Sequence, residues 1–181
     1  EISASLVGSE MCIRDRDPPV NDNGKEYIEE GYMTDILTDK AITWLNEKRD
    51  PSKPFSLNLW HKAVHEPHLP AERHENLYED AVLPPPPHDT HKEIFRGKPE
   101  WQRKKTYGFD WKKNLPIPSE LPEQEWPINY EKNMDLLRCI AAIDESLGAV
   151  LETLESIGEL DNTVIIYSSD NGYFLGEHTF N

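Results

Sequence analysis

A chain of 181 residues can bury one sizeable core but is short for two. Its formal net charge of −15 excludes nucleic acid or an anionic membrane as the main partner, because both demand a basic surface. With 36% apolar residues, 29% charged residues and no apolar run near the ~20 that a membrane helix needs, it reads as a soluble globular chain with no membrane span.

In chain order, residues 1–16, EISASLVGSEMCIRDR, show neither a helical stripe nor strand alternation. They resemble a translated sequencing-adapter tail and have no secretory-signal layout. They are read as non-native, which makes residues 17–181 the domain and the chain an internal fragment. From Thr34, TDILTDKAITWLNEK places Ile36, Leu37, Ala41, Trp44 and Leu45 on one face, with Thr34 or Asp35 available as cap. This predicts an amphipathic helix that ends by Asp50, Pro51 and Pro54. PFSLNLWH follows with Phe55, Leu57 and Leu59 at alternate positions, which predicts a strand.

Pro67 to Pro127 holds eleven of the fifteen prolines, so the region 67–128 is read as an irregular insertion. It carries Trp101, Tyr107, Phe109, Trp111 and Trp126. Between Arg96 and Lys113 it also carries seven Lys and Arg against two acids, a pairing suited to a sugar bearing an anionic group or to a solvated loop. A long helix is predicted from about Tyr130 to Ile157, on a stripe of Leu137, Ile140, Asp144, Leu147, Leu151 and Leu154, with Gly158 as its C-terminal cap. Cys139 reads as a small buried hydrophobe; with Cys12 it cannot form a disulfide scaffold. TVIIYSS then reads as a strand buried on both faces. Strand, helix, strand in this order predicts an α/β fold with a right-handed crossover between parallel strands.

In such sheets ligands bind outside the carboxyl ends of the strands. The first strand would run out into HKAVHEPH, with His61, Lys62, His65, Glu66 and His68. The second would run out into SDNGYFLGEH, with Asp170, Asn171, Glu177 and His178. Asp170 and Asn171 offer hard oxygen donors of the kind Ca²⁺ or Mg²⁺ takes, though two are too few for a complete site. Taken alone, Asp-Asn-Gly is also an ordinary turn after a strand.

YMTDILTDKAITWL, PFSLNLWHKAVHEPHLPAERH, AAIDESLGAVLETLESIGELDNT and VIIYSSDNGYFLGEH, in this order and spacing, resemble the formylglycine-dependent sulfatases of the alkaline phosphatase-like superfamily. Bacterial enzymes of the N-acetylglucosamine-6-sulfatase or mucin-desulfating type look closest. The resemblance implies part of an alkaline phosphatase-like sandwich with a mostly parallel sheet. It implies a sulfuric ester hydrolase acting on sulfated glycan, with Ca²⁺, or Mg²⁺, held by Asp170 and Asn171. It implies a catalytic His65 beside the sulfate, with Lys62, His61 and His178 around the substrate. Charge building on the sulfuryl oxygens and the departing alkoxide is what such groups stabilise.

The family's nucleophile is a formylglycine made from cysteine in C-x-P-S-R, and these 181 residues have no such motif. CIRDR at Cys12 to Arg16 lacks its proline and serine, so Cys12 is rejected. The upstream metal-binding aspartates, the sulfate-binding lysine and histidine, and a further lysine beyond GEH are missing too. The expectation is a piece of a sulfatase, periplasmic or extracellular in its parent, that is not itself competent. A phosphatase, phosphonate or phosphodiester hydrolase of the same superfamily shares the ELDNTVIIYSSDNG run, and a non-catalytic sugar-binding protein is compatible with the missing nucleophile.

Overall fold

Asn23 and Gly24 both take positive φ, 53° and 90°, the pair that a two-residue type I′ turn requires. They join β1 (Pro19–Asp22) to β2 (Lys25–Ile28) in an antiparallel hairpin, with Val20 opposite Tyr27 and Asn21 opposite Glu26. The Asn21 side chain closes the turn by accepting the Gly24 N–H at 2.8 Å.

The computed structural model describes residues 15–82, 109–110, 115–116 and 130–172. They divide into one unit of residues 1–79 and 134–166 and a second of residues 80–133 and 167–181. In the second unit, β3 (Phe109–Asp110) and β4 (Leu115–Pro116) form a short antiparallel pair. The rest of the proline-rich stretch and residues 1–14 lie outside the described residues. Asp15 and Arg16, the last two residues of the expected tail, are described. Arg16 bridges to Tyr32 and pairs with Glu72 and Glu75, and the Asp15 carbonyl accepts the Met33 N–H.

The first predicted helix is α1 (Met33–Thr43), continued by a π-helical turn, Trp44–Lys48, whose Arg49 N–H reaches the Trp44 carbonyl. Its cap differs from expectation. Tyr32 holds the N-cap position in extended backbone with no side-chain cap bond. The Asp15 carbonyl takes the Met33 N–H, so the chain enters the helix directly from a paired segment. Thr34 and Asp35 therefore sit inside the first turn, where Asp35 suits the helix dipole. Ile36, Leu37, Ala41 and Leu45 are buried as predicted. Trp44 is half-buried and packs edge-on against Phe55 with ring centroids 5.9 Å apart.

The long helix, α2, covers Tyr130–Ser156. Gly158, at φ 74°, ends it: the Gly158 N–H bonds to the Glu155 carbonyl and the Glu159 N–H to the Leu154 carbonyl, the Schellman pattern. Its buried face is not the predicted stripe. Of Leu137, Ile140, Asp144, Leu147, Leu151 and Leu154 only Leu154 is buried; Ile140 and Asp144 are exposed. Met134, Leu136, Cys139, Ala142, Ser146 and Thr153 face inward instead. Both sets recur at helical spacing, and fit decides between them. Ala142 clusters with Tyr32 and Ala71, a seat that a leucine would overfill.

Neither predicted strand forms a ladder among the described residues, and the two sheets present are antiparallel, so the parallel crossover is not seen. Residues 55–60 do alternate half-buried and exposed, as a strand would. Residues 163–169 depart further from expectation. Val164 and Ile166 are 87% and 84% exposed where burial on both faces was predicted. β-branched residues favour extended backbone by packing on a pleated surface, and here no described segment supplies one.

Candidate active site

His65 lies on the turn that follows residues 55–60. The turn is closed by its own N–H donating 2.8 Å to the Lys62 carbonyl. The imidazole is exposed, with Nδ1 2.8 Å from the Glu66 carbonyl oxygen. A carbonyl only accepts, so Nδ1 carries the proton of that bond and Nε2 is left to interact outward.

The residues around it are held tightly. Lys62 places Nζ 2.7 Å from Asp15 Oδ1, both side chains largely buried. His61 faces inward, with Nε2 3.1 Å from Ser146 Oγ and a buried Nδ1 that has no hydrogen-bond partner. His68 is buried at the far end of the turn. Burial holds the His61 imidazole below the ordinary histidine range.

That shift has a testable sign. The unfolded chain, with His61 near 6.5, binds a proton that the folded chain resists. The stabilising contribution is therefore full above about pH 6.5 and is lost as pH falls through it, at no more than about 1.4 kcal/mol per pH unit. We expect the Tm of the chain to fall between pH 7.5 and 5.5, and His61→Gln, which keeps an N–H donor but does not titrate, to flatten the fall. A profile unchanged by the substitution would refute the assignment.

Below this turn, Arg73 joins two helices. It grips both oxygens of Asp35 on α1 at 2.8 Å and reaches Glu145 on α2 at 2.7 Å, where His74 Nε2 also bonds at 2.9 Å. Burial is the largest single influence on Glu145 and opposes its ionisation, but the hydrogen bonds and charges of His74 and Arg73 together outweigh it and hold its carboxyl below the usual range. Cys139 is no rival nucleophile, because burial pushes its thiol up to about 11.

The expected metal ligands belong to the second unit. Asp170 and Asn171 are both exposed; Asn171 Nδ2 donates to the Gly172 carbonyl at 2.7 Å, leaving Oδ1 on the other arm of the amide. A carboxylate and an amide carbonyl on adjacent exposed positions suit a hard cation of the Ca²⁺ or Mg²⁺ kind. Among the described residues no group of three or more His, Cys, Asp or Glu could hold a metal by itself. His178 lies outside the described residues, as do Cys12, Glu177 and the basic segment but for the short β3.

Sequence reasoning did not anticipate Ser146, Thr38, Arg73 or Glu145. The only signal for Ser146 was a small polar residue at the i+7 position from Cys139 on the inward face of α2.

A sequence profile described as "Sulfatase" matches residues 7–181. The N-acetylglucosamine-6-O-sulfatase of Bacteroides thetaiotaomicron is 33% identical over 208 residues, covering 90% of this chain and 37% of that protein. An arylsulfatase of Volvox carteri is 31% identical over 171 residues, covering 82% of this chain and 24% of that protein. The chain thus spans about a third or less of the length of these relatives. A solved structure of a protein in complex with its substrate D-glucosamine-2-N,6-O-disulfate superposes with a TM-score of 0.69 at 30% identity, over 97% of this chain and 44% of that one. The α/β expectation stands in this coarser form, as the fold of part of that structure. With the profile matched over nearly its whole length, the chain belongs to the sulfatase family.

Proposed function

We propose that the full-length protein containing this segment hydrolyses sulfate esters on amino sugars of glycans. The observation that carries the reading is the 33% identity, over 90% of the chain, to an N-acetylglucosamine-6-O-sulfatase. The substrate held by the structural neighbour, a 2-N,6-O-disulfated glucosamine, supports the same class.

In this reading His65 acts at Nε2. As the bond between sulfur and the sugar oxygen breaks, the protonated Nε2 donates its proton to the departing alkoxide while Nδ1–H stays on the Glu66 carbonyl. Lys62 and His61 would neighbour the substrate pocket, and His178 would face the substrate. Asp170 and Asn171 would hold Ca²⁺, or Mg²⁺, with further ligands; when bound, the ion supplies positive charge to the sulfuryl oxygens. These 181 residues hold no C-x-P-S-R motif, so the formylglycine nucleophile would come from elsewhere in the full-length protein. Residues 55–60 and 163–169 would be parallel strands of its sheet; their alternation and exposed β-branched side chains support this. Residues 67–128 would be a proline-rich insertion in that protein.

Assay of the full-length protein on N-acetylglucosamine 6-sulfate and on a phosphate monoester tests the reading. Inorganic sulfate should be released from the first. Phosphate release without sulfate release would overturn it in favour of a phosphatase.

A further inference from the structure

We infer that Ser146 and Thr38 are positioning residues for the sulfatase site, acting through His61 to fix the turn that carries His65; the inference rests on the function proposed above. Three hydrogen-bond steps link the turn to both helices. His61 Nε2 lies 3.1 Å from Ser146 Oγ on α2, Ser146 Oγ lies 2.5 Å from Thr38 Oγ1 on α1, and Thr38 Oγ1 lies 2.7 Å from the Thr34 carbonyl. Thr38 and Ser146 are 7% and 3% exposed, so water does not substitute for any of these bonds.

The proton order follows from valence. A carbonyl only accepts, so Thr38, with one O–H, donates to Thr34 and accepts from Ser146. Ser146 then has no hydrogen left and accepts from His61 Nε2–H. That tautomer puts the bare lone pair on the buried, unpartnered Nδ1, the cheaper of the two orphans, since a buried unpaired N–H is the rarer case. Every hydrogen in the line is used. The three groups therefore admit one arrangement, and His61 is held by direction as well as by contact.

The link to the reaction is short. His65 donates its backbone N–H to the carbonyl of Lys62, the residue after His61. A rotation of the His61 backbone swings that carbonyl and the turn it closes, and with them the Nε2 that must meet the departing oxygen. Misplacement by about 1 Å can cost about 100-fold in rate. The sequence alternation that places His61 beside Trp60 gives no hint of this role, because the partners are 23 and 85 residues away in sequence.

Two measurements separate this proposal from the sulfatase reading. In the isolated chain, ¹⁵N-detected histidine NMR should show His61 protonated at Nε2. Thr38→Val and Ser146→Ala should scramble that tautomer and move the His65 ring resonances, whereas Thr38→Ser, which keeps the hydroxyl, should leave both in place. His65 resonances unmoved by Thr38→Val and Ser146→Ala overturn the proposal whatever the enzyme hydrolyses. In the full-length enzyme, Thr38→Val and Ser146→Ala should lower kcat by about tenfold or more with KM little changed, and Thr38→Ser should keep wild-type kcat. Unchanged kcat in the first two also overturns it. Absence of sulfate release from wild-type enzyme overturns the sulfatase reading, and a moved His65 would still establish the anchor.

Discussion

Asp170→Ala in the full-length enzyme is expected to abolish sulfate release. The side chain is exposed, and in the described structure it anchors nothing whose loss would unfold the segment. A loss of activity therefore reads on chemistry. The proposed chemistry places a divalent cation against Asp170 and Asn171, and of the two only Asp170 brings a full negative charge. Its removal takes away the stronger donor of a hard ion that prefers six or more oxygens. Transition-state charge on sulfuryl oxygens is then left to hydrogen bonds alone, and loss of even one preorganised donor from such a site costs about 10²–10³ in kcat. Asp170→Asn should retain weak activity that rises with added Ca²⁺, because the amide oxygen still ligates without charge. Sulfate release and metal content measured together check this. Full activity in Asp170→Ala would remove Asp170 from the site, and a lowered Tm in the isolated chain would show that the residue is structural instead.

The elements legible in the sequence are those whose cause is local. α2 and its Gly158 cap follow from spacing and from the one residue that takes positive φ cheaply, and α1 follows from its apolar face. The β1–β2 hairpin was missed although Asn23-Gly24 is a strong local turn signal, because its strands are polar and carry no apolar alternation. What failed depends on partners distant in sequence. The inward face of α2 is set by Tyr32 and Ala71 meeting Ala142 and by Thr38 meeting Ser146, contacts that no periodicity encodes. Residues 163–169 pair with no strand among the described residues, and propensity alone leaves Ile166 facing solvent. The candidate site divides in the same way. HKAVHEPH forms a turn that leaves one nitrogen of His65 outward, which the spacing alone did not predict, and the inward orientation of His61 and Lys62 is a product of packing.

Among the described residues, Leu45→Ala should be the most destabilising single truncation, at about 2–5 kcal/mol. Leu45 is 1% exposed and is the largest fully buried side chain among the described residues. It sits in the π-helical turn, where the backbone is held by the Arg49 N–H on the Trp44 carbonyl at 3.0 Å and by Arg49 Nε on the Leu45 carbonyl at 3.2 Å. Arg49 is pinned in turn by Glu159 at 3.1 Å and by the Phe55 ring, its guanidinium carbon 5.5 Å from the centroid. A backbone held this way limits how far the turn can settle into the space a leucine leaves, so the cost includes a cavity contribution. Against a total stability of about 5–15 kcal/mol, such a loss is a large share. Trp60→Ala is the control: the ring is larger but 82% exposed, and its removal should change stability by about 0.5 kcal/mol or less. Urea unfolding of the two variants beside the parent chain decides the matter. A cost for Leu45→Ala below about 1 kcal/mol would mean that the α1 end and residues 55–60 are not packed as one body, and the turn presenting His65 would lose its foundation.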